Sequence, residues 1–318
     1  MKISLLEPIG IPEEMVRELA AGFEQEGHSF AYYDTKTTDV EELKRRSAGQ
    51  DIVMIANNPY PDEVVEAADS LKMIAVAFTG IDHVGLKACR DKGVTVCNCA
   101  GYSNQSVAEL AIGMTIELLR KFRKCDEASR TGLTGAGLTG EEIAGKTVGI
   151  VGCGQIGFRT AKLFAAFGAK VLAYARHERT EWKEAGIEAV DLDTLLSQSD
   201  IVSLHVPLND TTRGFMSAER IAQMKDGAIL INCARGPVVD NKALADALNS
   251  GKLSAAGIDV FDMEPPLPED YPLLHAKNAL LTPHIAFATK ESMVRRAKIE
   301  FSNVSAYLHG SPENVCQF

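Results

Sequence analysis

Three ionisable residues in the second half of the sequence each follow an apolar, strand-like run. Arg235 comes after Ile229-Leu230-Ile231-Asn232-Cys233-Ala234, Glu264 after Ala256-Gly257-Ile258-Asp259-Val260-Phe261-Asp262-Met263, and His284 after Leu280-Leu281-Thr282-Pro283. In an open α/β sheet, ligands bind outside the carboxyl ends of the strands, so these three side chains are placed to converge. A guanidinium, a carboxylate and an imidazole together suit hydride exchange at a 2-hydroxy acid. The arginine clamps the substrate carboxylate and polarises its carbonyl, the histidine moves the proton, and the carboxylate orients and charges the histidine. Singly, each has a bland reading: an arginine beside Gly236 as a helix-cap ion pair, a histidine after Pro283 as a turn residue.

A second signal weighs against the bland readings. Gly145-Lys146-Thr147-Val148-Gly149-Ile150-Val151-Gly152-Cys153-Gly154-Gln155-Ile156-Gly157 sets G-x-G-x-x-G directly after an apolar strand and at the start of an apolar helix. Gly152 permits the tight turn, Gly154 lets the backbone approach a pyrophosphate, and Gly157 lets helix pack close to strand. The helix start then offers N–H groups and a positive dipole end to the phosphates, as a nicotinamide dinucleotide requires. An acidic residue about 20 positions further on would hold the ribose hydroxyls of NAD. Here Val171-Leu172-Ala173-Tyr174 runs instead into Ala175-Arg176-His177-Glu178-Arg179. Arginine matches phosphate oxygens in a fork of hydrogen bonds, so Arg176 and Arg179 favour the 2′-phosphate of NADP(H). NAD(H) stays open, with Arg176 stacked on adenine or facing water and Glu178 bonding the ribose.

The elements that must position these residues alternate. Short apolar runs and helical patterns succeed each other through Ile3–Leu6, Phe30–Tyr33, Asp51–Ala56, Lys72–Thr79 and Val94–Cys99, and again from Lys146 through Thr147–Val151, Lys170–Tyr174, Ile201–Val206, Ala228–Asn232, Ala255–Val260 and Ala279–Thr282. This rhythm predicts parallel sheets with right-handed crossovers, hence an α/β fold of two domains. Between the series, the pattern predicts one long helix from Ser103 to about Arg130, followed by a glycine-rich loop at 131–140. A last helix, from about Thr289 to Leu308, is placed to return to the first domain.

Composition sets the outer limits. The 318 residues carry 33 Lys+Arg and 43 Asp+Glu, a formal charge of −10, and 46% are hydrophobic, which describes a folded chain rather than a disordered or fibrous one. The acidic balance and the lack of a long basic run count against nucleic acid as a partner. No apolar stretch reaches the roughly 18–20 residues needed to span a bilayer, and the first residues do not read as a signal peptide, so we expect a cytoplasmic protein with no membrane partner. The seven cysteines are odd in number and scattered, as reduced thiols are. Cys97 and Cys99 share a strand face with no second ligand pair nearby, so no metal site is expected.

Taken in order, seven segments resemble the D-isomer-specific 2-hydroxyacid dehydrogenases: Thr79-Gly80-Ile81-Asp82-His83-Val84; Ser106-Val107-Ala108-Glu109; the glycine motif; Ser203-Leu204-His205-Val206-Pro207-Leu208; Asn232-Cys233-Ala234-Arg235-Gly236; Gly257-Ile258-Asp259-Val260-Phe261 with Glu264-Pro265; and Thr282-Pro283-His284-Ile285-Ala286. The resemblance implies two Rossmann-like or flavodoxin-like parallel-sheet domains with the active site in the cleft between them. Residues 1–99 plus 285–318 would form the substrate-binding domain and 100–284 the dinucleotide-binding domain. It also implies Arg235 on the carboxylate and carbonyl of a small 2-oxo or 2-hydroxy acid, His284 as acid/base, Glu264 as its partner, and backbone N–H groups at Thr79, Gly80 and Ile81 on the carboxylate. Gln155 and Ile156 would meet the pyrophosphate and Asp259 the nicotinamide carboxamide. His205, Pro207, Thr212, Cys233 and Ala234 would supply the remaining cofactor surface. A homodimer is implied as well.

Departures sharpen the expectation. Ala175-Arg176 in place of the ribose-binding aspartate resembles the NADPH-dependent glyoxylate and hydroxypyruvate reductases. Phe287 resembles the D-lactate branch. Glu264 stands where formate dehydrogenases have glutamine, and no regulatory domain follows residue 318, which disfavours a serine-regulated phosphoglycerate dehydrogenase. The rival from another class is a cofactor-sensing corepressor, which the acidic charge disfavours.

Overall fold

The computed structural model describes residues 1–318 and divides into two compact units, Met1–Ser103 with Ala288–Phe318, and Asn104–Phe287. No helix is long and apolar enough to cross a membrane.

The first unit alternates β1 (Lys2–Leu5), α1 (Glu13–Gln25), β2 (Ser29–Tyr32), α2 (Val40–Ser47), β3 (Ile52–Ile55), α3 (Asp62–Ala67), β4 (Met73–Val76), α4 (Leu86–Lys92) and β5 (Thr95–Asn98). All five strands pair in parallel, in the order β2-β1-β3-β4-β5. β3 and β4 are buried at every position, as strands covered on both faces must be. In α1 the buried residues Val16, Ala20 and Phe23 recur at helical spacing and face this sheet's core. The closing helix Lys290–Leu308 starts at a capping box between Thr289 and Ser292 and adds Ala297, Phe301 and Val304 to the same core. Phe301 stacks on Phe23 with ring centroids 5.6 Å apart, which is why the chain's end belongs with its beginning.

The second unit opens with α5 (Asn104–Arg120) and α6 (Phe122–Arg130). The single long helix expected over this stretch is therefore two, broken at Lys121, whose φ of 55° is left-handed. The apolar spacing that seats α5 ends at Leu119, α6 buries only Ala128, and the Lys121 ammonium donates to the Thr139 carbonyl across the loop that follows. Then come β6 (Thr147–Val151), α7 (Gln155–Ala166), β7 (Lys170–Tyr174), α8 (Thr180–Glu184), β8 (Glu188–Ala189), α9 (Leu192–Gln198), β9 (Ile201–Leu204), α10 (Ala218–Gln223), β10 (Ala228–Asn232), α11 (Asn241–Ser250), β11 (Leu253–Ile258) and β12 (Ala279–Leu281).

Seven parallel strands lie in the order β12-β11-β10-β9-β6-β7-β8. Alternate residues feed two cores: Ile229 and Ile231 of β10 face one, and Ala228 and Leu230 the other. Two expectations shift here. β11 begins and ends two residues before the 255–260 run that the apolar pattern suggests, because Asp259 turns out of the strand to serve the next loop, and β8 is too short for periodicity to reveal.

Candidate active site

Neighbouring strands explain how residues far apart in sequence meet. β10, β11 and β12 lie side by side, so the loops leaving their carboxyl ends, which carry Arg235, Glu264 and His284, emerge along one edge of the sheet. His284 and Glu264 are in contact: ring Nδ1 lies 2.9 and 3.1 Å from the two carboxylate oxygens. The imidazole is mostly covered, its side chain 16% exposed, whereas that of Glu264 is 67% exposed. Phe287 meets the ring edge-on, centroids 5.4 Å apart. Half-buried Arg235 begins the turn after β10, with its carbonyl held by the Asn232 amide at 3.0 Å.

The His284 backbone is unusual. Its φ of 56° places a non-glycine residue in the left-handed region, a conformation that persists only where its surroundings over-determine it. Asp259 does so. Its carboxylate is fully buried and accepts from the Thr282 hydroxyl at 2.5 Å, the Ile285 N–H at 2.8 Å and the Ala286 N–H at 2.9 Å. Its carbonyl accepts the His284 N–H at 2.8 Å. Burial pushes the Asp259 carboxyl above its ordinary range, and these donors oppose the rise. The side chain expected to meet a nicotinamide carboxamide is thus engaged in shaping the histidine's turn.

At the centre of the sheet, the glycine turn is built around contacts that exclude larger side chains. Gly152 has a φ of 90°, and a Cβ there would lie 2.7 Å from the His205 carbonyl carbon. A Cβ at Gly157 would lie 2.2 Å from the Gly152 oxygen. At Gly154, by contrast, it would meet nothing within 4 Å, so the turn opens outward at that residue. α7 starts at Gln155, leaving the N–H groups of Gln155 and Ile156 in the first turn without partners inside the helix. This cradle fits a pyrophosphate. His205 packs on the glycines, its Nε2 2.9 Å from the Ser203 hydroxyl, and burial pushes its ring down to about 4, so it is neutral near pH 7.

The other expected cofactor contacts separate. Cys233 is buried, with Sγ 3.9 Å from the Met114 sulfur and its thiol pushed well up by burial, while the Ala234 N–H is taken by Asn232. The Thr212 hydroxyl donates to the Pro207 carbonyl at 2.6 Å and accepts from the Asn209 N–H, closing its own turn. Arg179 pairs with Glu181 at 3.4 Å. Arg176 instead donates to the Thr211 hydroxyl at 3.0 Å, a residue no motif singled out. Thr79, Gly80 and Ile81 follow β4 and belong to the first unit, the remaining candidates to the second.

Residues 112–286 match the sequence profile of the D-isomer specific 2-hydroxyacid dehydrogenase NAD binding domain. The chain belongs to this family. A hydroxypyruvate reductase from Blautia hydrogenotrophica is 39% identical to this dehydrogenase over 301 residues, 92% of this chain and 93% of the relative. A glyoxylate reductase from Thermofilum pendens is 40% identical over 278 residues, 85% of this chain and 82% of that one. Among solved structures, the D-lactate dehydrogenase of Aquifex aeolicus, in complex with NAD and lactic acid, superposes with a TM-score of 0.85 at 31% identity, covering 98% of this chain and 96% of the other. The dehydrogenase is therefore an oxidoreductase that acts on CH–OH groups with a nicotinamide cofactor.

Two outcomes follow for its glycine turn and for His205. Gly157→Ala forces a Cβ into the Gly152 carbonyl and should lower stability by about 1–3 kcal/mol in urea unfolding, whereas Gly154→Ala should keep the wild-type midpoint yet bind reduced cofactor several-fold more weakly in fluorescence titration. The His205 ring titrates near 4 when folded and near 6.5 when unfolded, so the unfolded state binds the extra proton between those values and stability falls as pH drops through that window. His205→Gln should therefore lose less melting temperature than wild type between pH 7 and pH 5; equal losses would contradict the assignment.

Proposed function

We propose that this dehydrogenase reduces a small 2-oxo acid, glyoxylate or hydroxypyruvate, to the (R)-2-hydroxy acid with NADPH. The reading is carried by the imidazole of His284 held against the Glu264 carboxylate at 2.9 Å on the same sheet edge as Arg235. The names of the two reductases reported above support the substrate class. Arg176 at the end of β7, where an aspartate would repel a 2′-phosphate, supports the cofactor. In this reading residues 1–99 with 285–318 bind substrate, residues 100–284 bind the dinucleotide, and the enzyme works in the cytoplasm as a homodimer.

Bound nicotinamide supplies the hydride. Every other part of the chemistry falls to the chain. The Arg235 guanidinium holds the substrate carboxylate and polarises the C2 carbonyl. His284 Nδ1 donates to Glu264, which fixes the ring and assigns proton exchange to Nε2. In reduction, Nε2 gives its proton to the carbonyl oxygen as the negative charge develops there. Glu264 stabilises the imidazolium before that transfer and orients the neutral ring after it. The Asp259 clamp keeps the ring in place through the cycle. A second reading, a D-lactate-type enzyme using NAD, is favoured by Phe287, whose ring lies edge-on against His284.

His284→Ala should reduce turnover on the order of 10²–10⁴-fold, and near-normal turnover would remove His284 from the mechanism. Because reduction consumes a proton and oxidation releases one, raising the pH should slow reduction and favour oxidation. The deciding experiment is a panel of glyoxylate, hydroxypyruvate, pyruvate and phenylpyruvate, each assayed with NADPH and with NADH. Activity confined to pyruvate with NADH would support the second reading. Tight cofactor binding with no turnover on any of the four would point to a sensing protein instead.

A further inference from the structure

We propose that Thr211 is a positioning residue for cofactor selection: its hydroxyl, fixed by Asn209, aims the Arg176 guanidinium at the 2′-phosphate of NADP(H). The inference rests on the NADPH reading above and adds to it a residue outside every motif.

Strand order supplies the geometry. β6, which leads into the glycine turn, has β7 on one side and β9 on the other. Arg176 lies just beyond β7 and Thr211 in the turn beyond β9, so the 3.0 Å bond between them links the two loops that flank the cofactor turn. The Thr211 hydroxyl is itself oriented, since it donates to the Asn209 amide oxygen at 2.7 Å, and the same oxygen accepts the Thr211 N–H at 2.9 Å. With its proton committed to Asn209, the hydroxyl presents a lone pair to Arg176. Without such an anchor an exposed arginine samples many rotamers, and ordering it on a ligand costs conformational entropy.

The charge pattern separates the two arginines of this loop. Arg179 faces Glu181 at 3.4 Å, so its charge is matched within the protein. Arg176 is held by a neutral hydroxyl, which orients the guanidinium and leaves its charge unneutralised. Only one Nη2 bond is used in that contact, and the rest of the planar fork suits phosphate oxygens. The anchor therefore preorganises a cation for the 2′-phosphate, which NADH lacks.

The test compares Thr211→Val, Thr211→Ser, Arg176→Ala and the Arg176→Ala/Thr211→Val double variant. Dissociation constants for NADPH and for NADH are read from the fluorescence of bound reduced nicotinamide and from quenching of Trp182, the chain's one tryptophan. Thr211→Val should weaken NADPH about 3- to 10-fold, leave NADH within about two-fold, and be restored by Thr211→Ser. In the Arg176→Ala background, Thr211→Val should add no further NADPH loss. Equal weakening of both cofactors, no weakening of either, or additive losses in the double variant would overturn the positioning role while leaving the Arg176 reading intact. If Arg176→Ala leaves NADPH binding unchanged, the 2′-phosphate reading itself is wrong and the inference falls with it.

Discussion

The buried carboxylate of Asp259 is the constraint on which the catalytic edge depends. A fully buried carboxylate is costly unless its oxygens are well satisfied, and here they are satisfied by the one segment whose conformation matters most. The left-handed turn at His284 directs the N–H groups of Ile285 and Ala286 at a single acceptor. The bonds hold the turn, and the turn satisfies the acid. Neither is stable without the other, which is how a strained backbone is kept at a reactive centre. Glu264 then needs only to meet a ring already oriented, and it can do so from an exposed loop.

The second fixed point is the place where the sheet changes direction of growth. From β6 the chain passes first to β7 on one side and later to β9 on the other, so the loops after β6 and β9 diverge and leave a crevice at their carboxyl ends. Gly152 is a glycine because His205, leaving β9, packs into that crevice against the turn that leaves β6, and Gly157 is one because its helix lies against the Gly152 carbonyl. A neutral, half-buried imidazole suits this position. It fills the space below the cradle without placing a positive charge in an apolar contact, and the Ser203 hydroxyl satisfies its Nε2.

Much of this was legible in the sequence because it rests on local pattern. Apolar runs at strand spacing located all of the longer strands, the glycine triplet located the turn, and the position of Arg235, Glu264 and His284 after three strands placed them on one edge. What sequence could not supply was the partner of each polar atom. Asp259 lies in a family-like segment that suggests a cofactor contact, but its three donors come from residues 282–286, and no spacing rule connects them. Thr211 and Thr212 are adjacent and chemically identical, and the resemblance implied only Thr212. In the fold Thr212 closes its own turn and Thr211 reaches Arg176. The break at Lys121 was hidden for a related reason: the residues on both sides of it fit a continuous helix, and only the single buried position of α6, Ala128, reveals how little holds the second segment in line.

Net charge illustrates how a global quantity constrains a local one. A protein of charge −10 repels anions at long range, and its dinucleotide must bind against that field unless a local cation compensates. Arg179 is paired with Glu181, and a paired cation adds little attraction. An arginine held by a hydroxyl is different, because the contact costs it none of its charge. Preorganisation and charge are then supplied by separate residues, Thr211 and Arg176, and the same chain can hold a cation ready for phosphate without surrounding it with further positive charge.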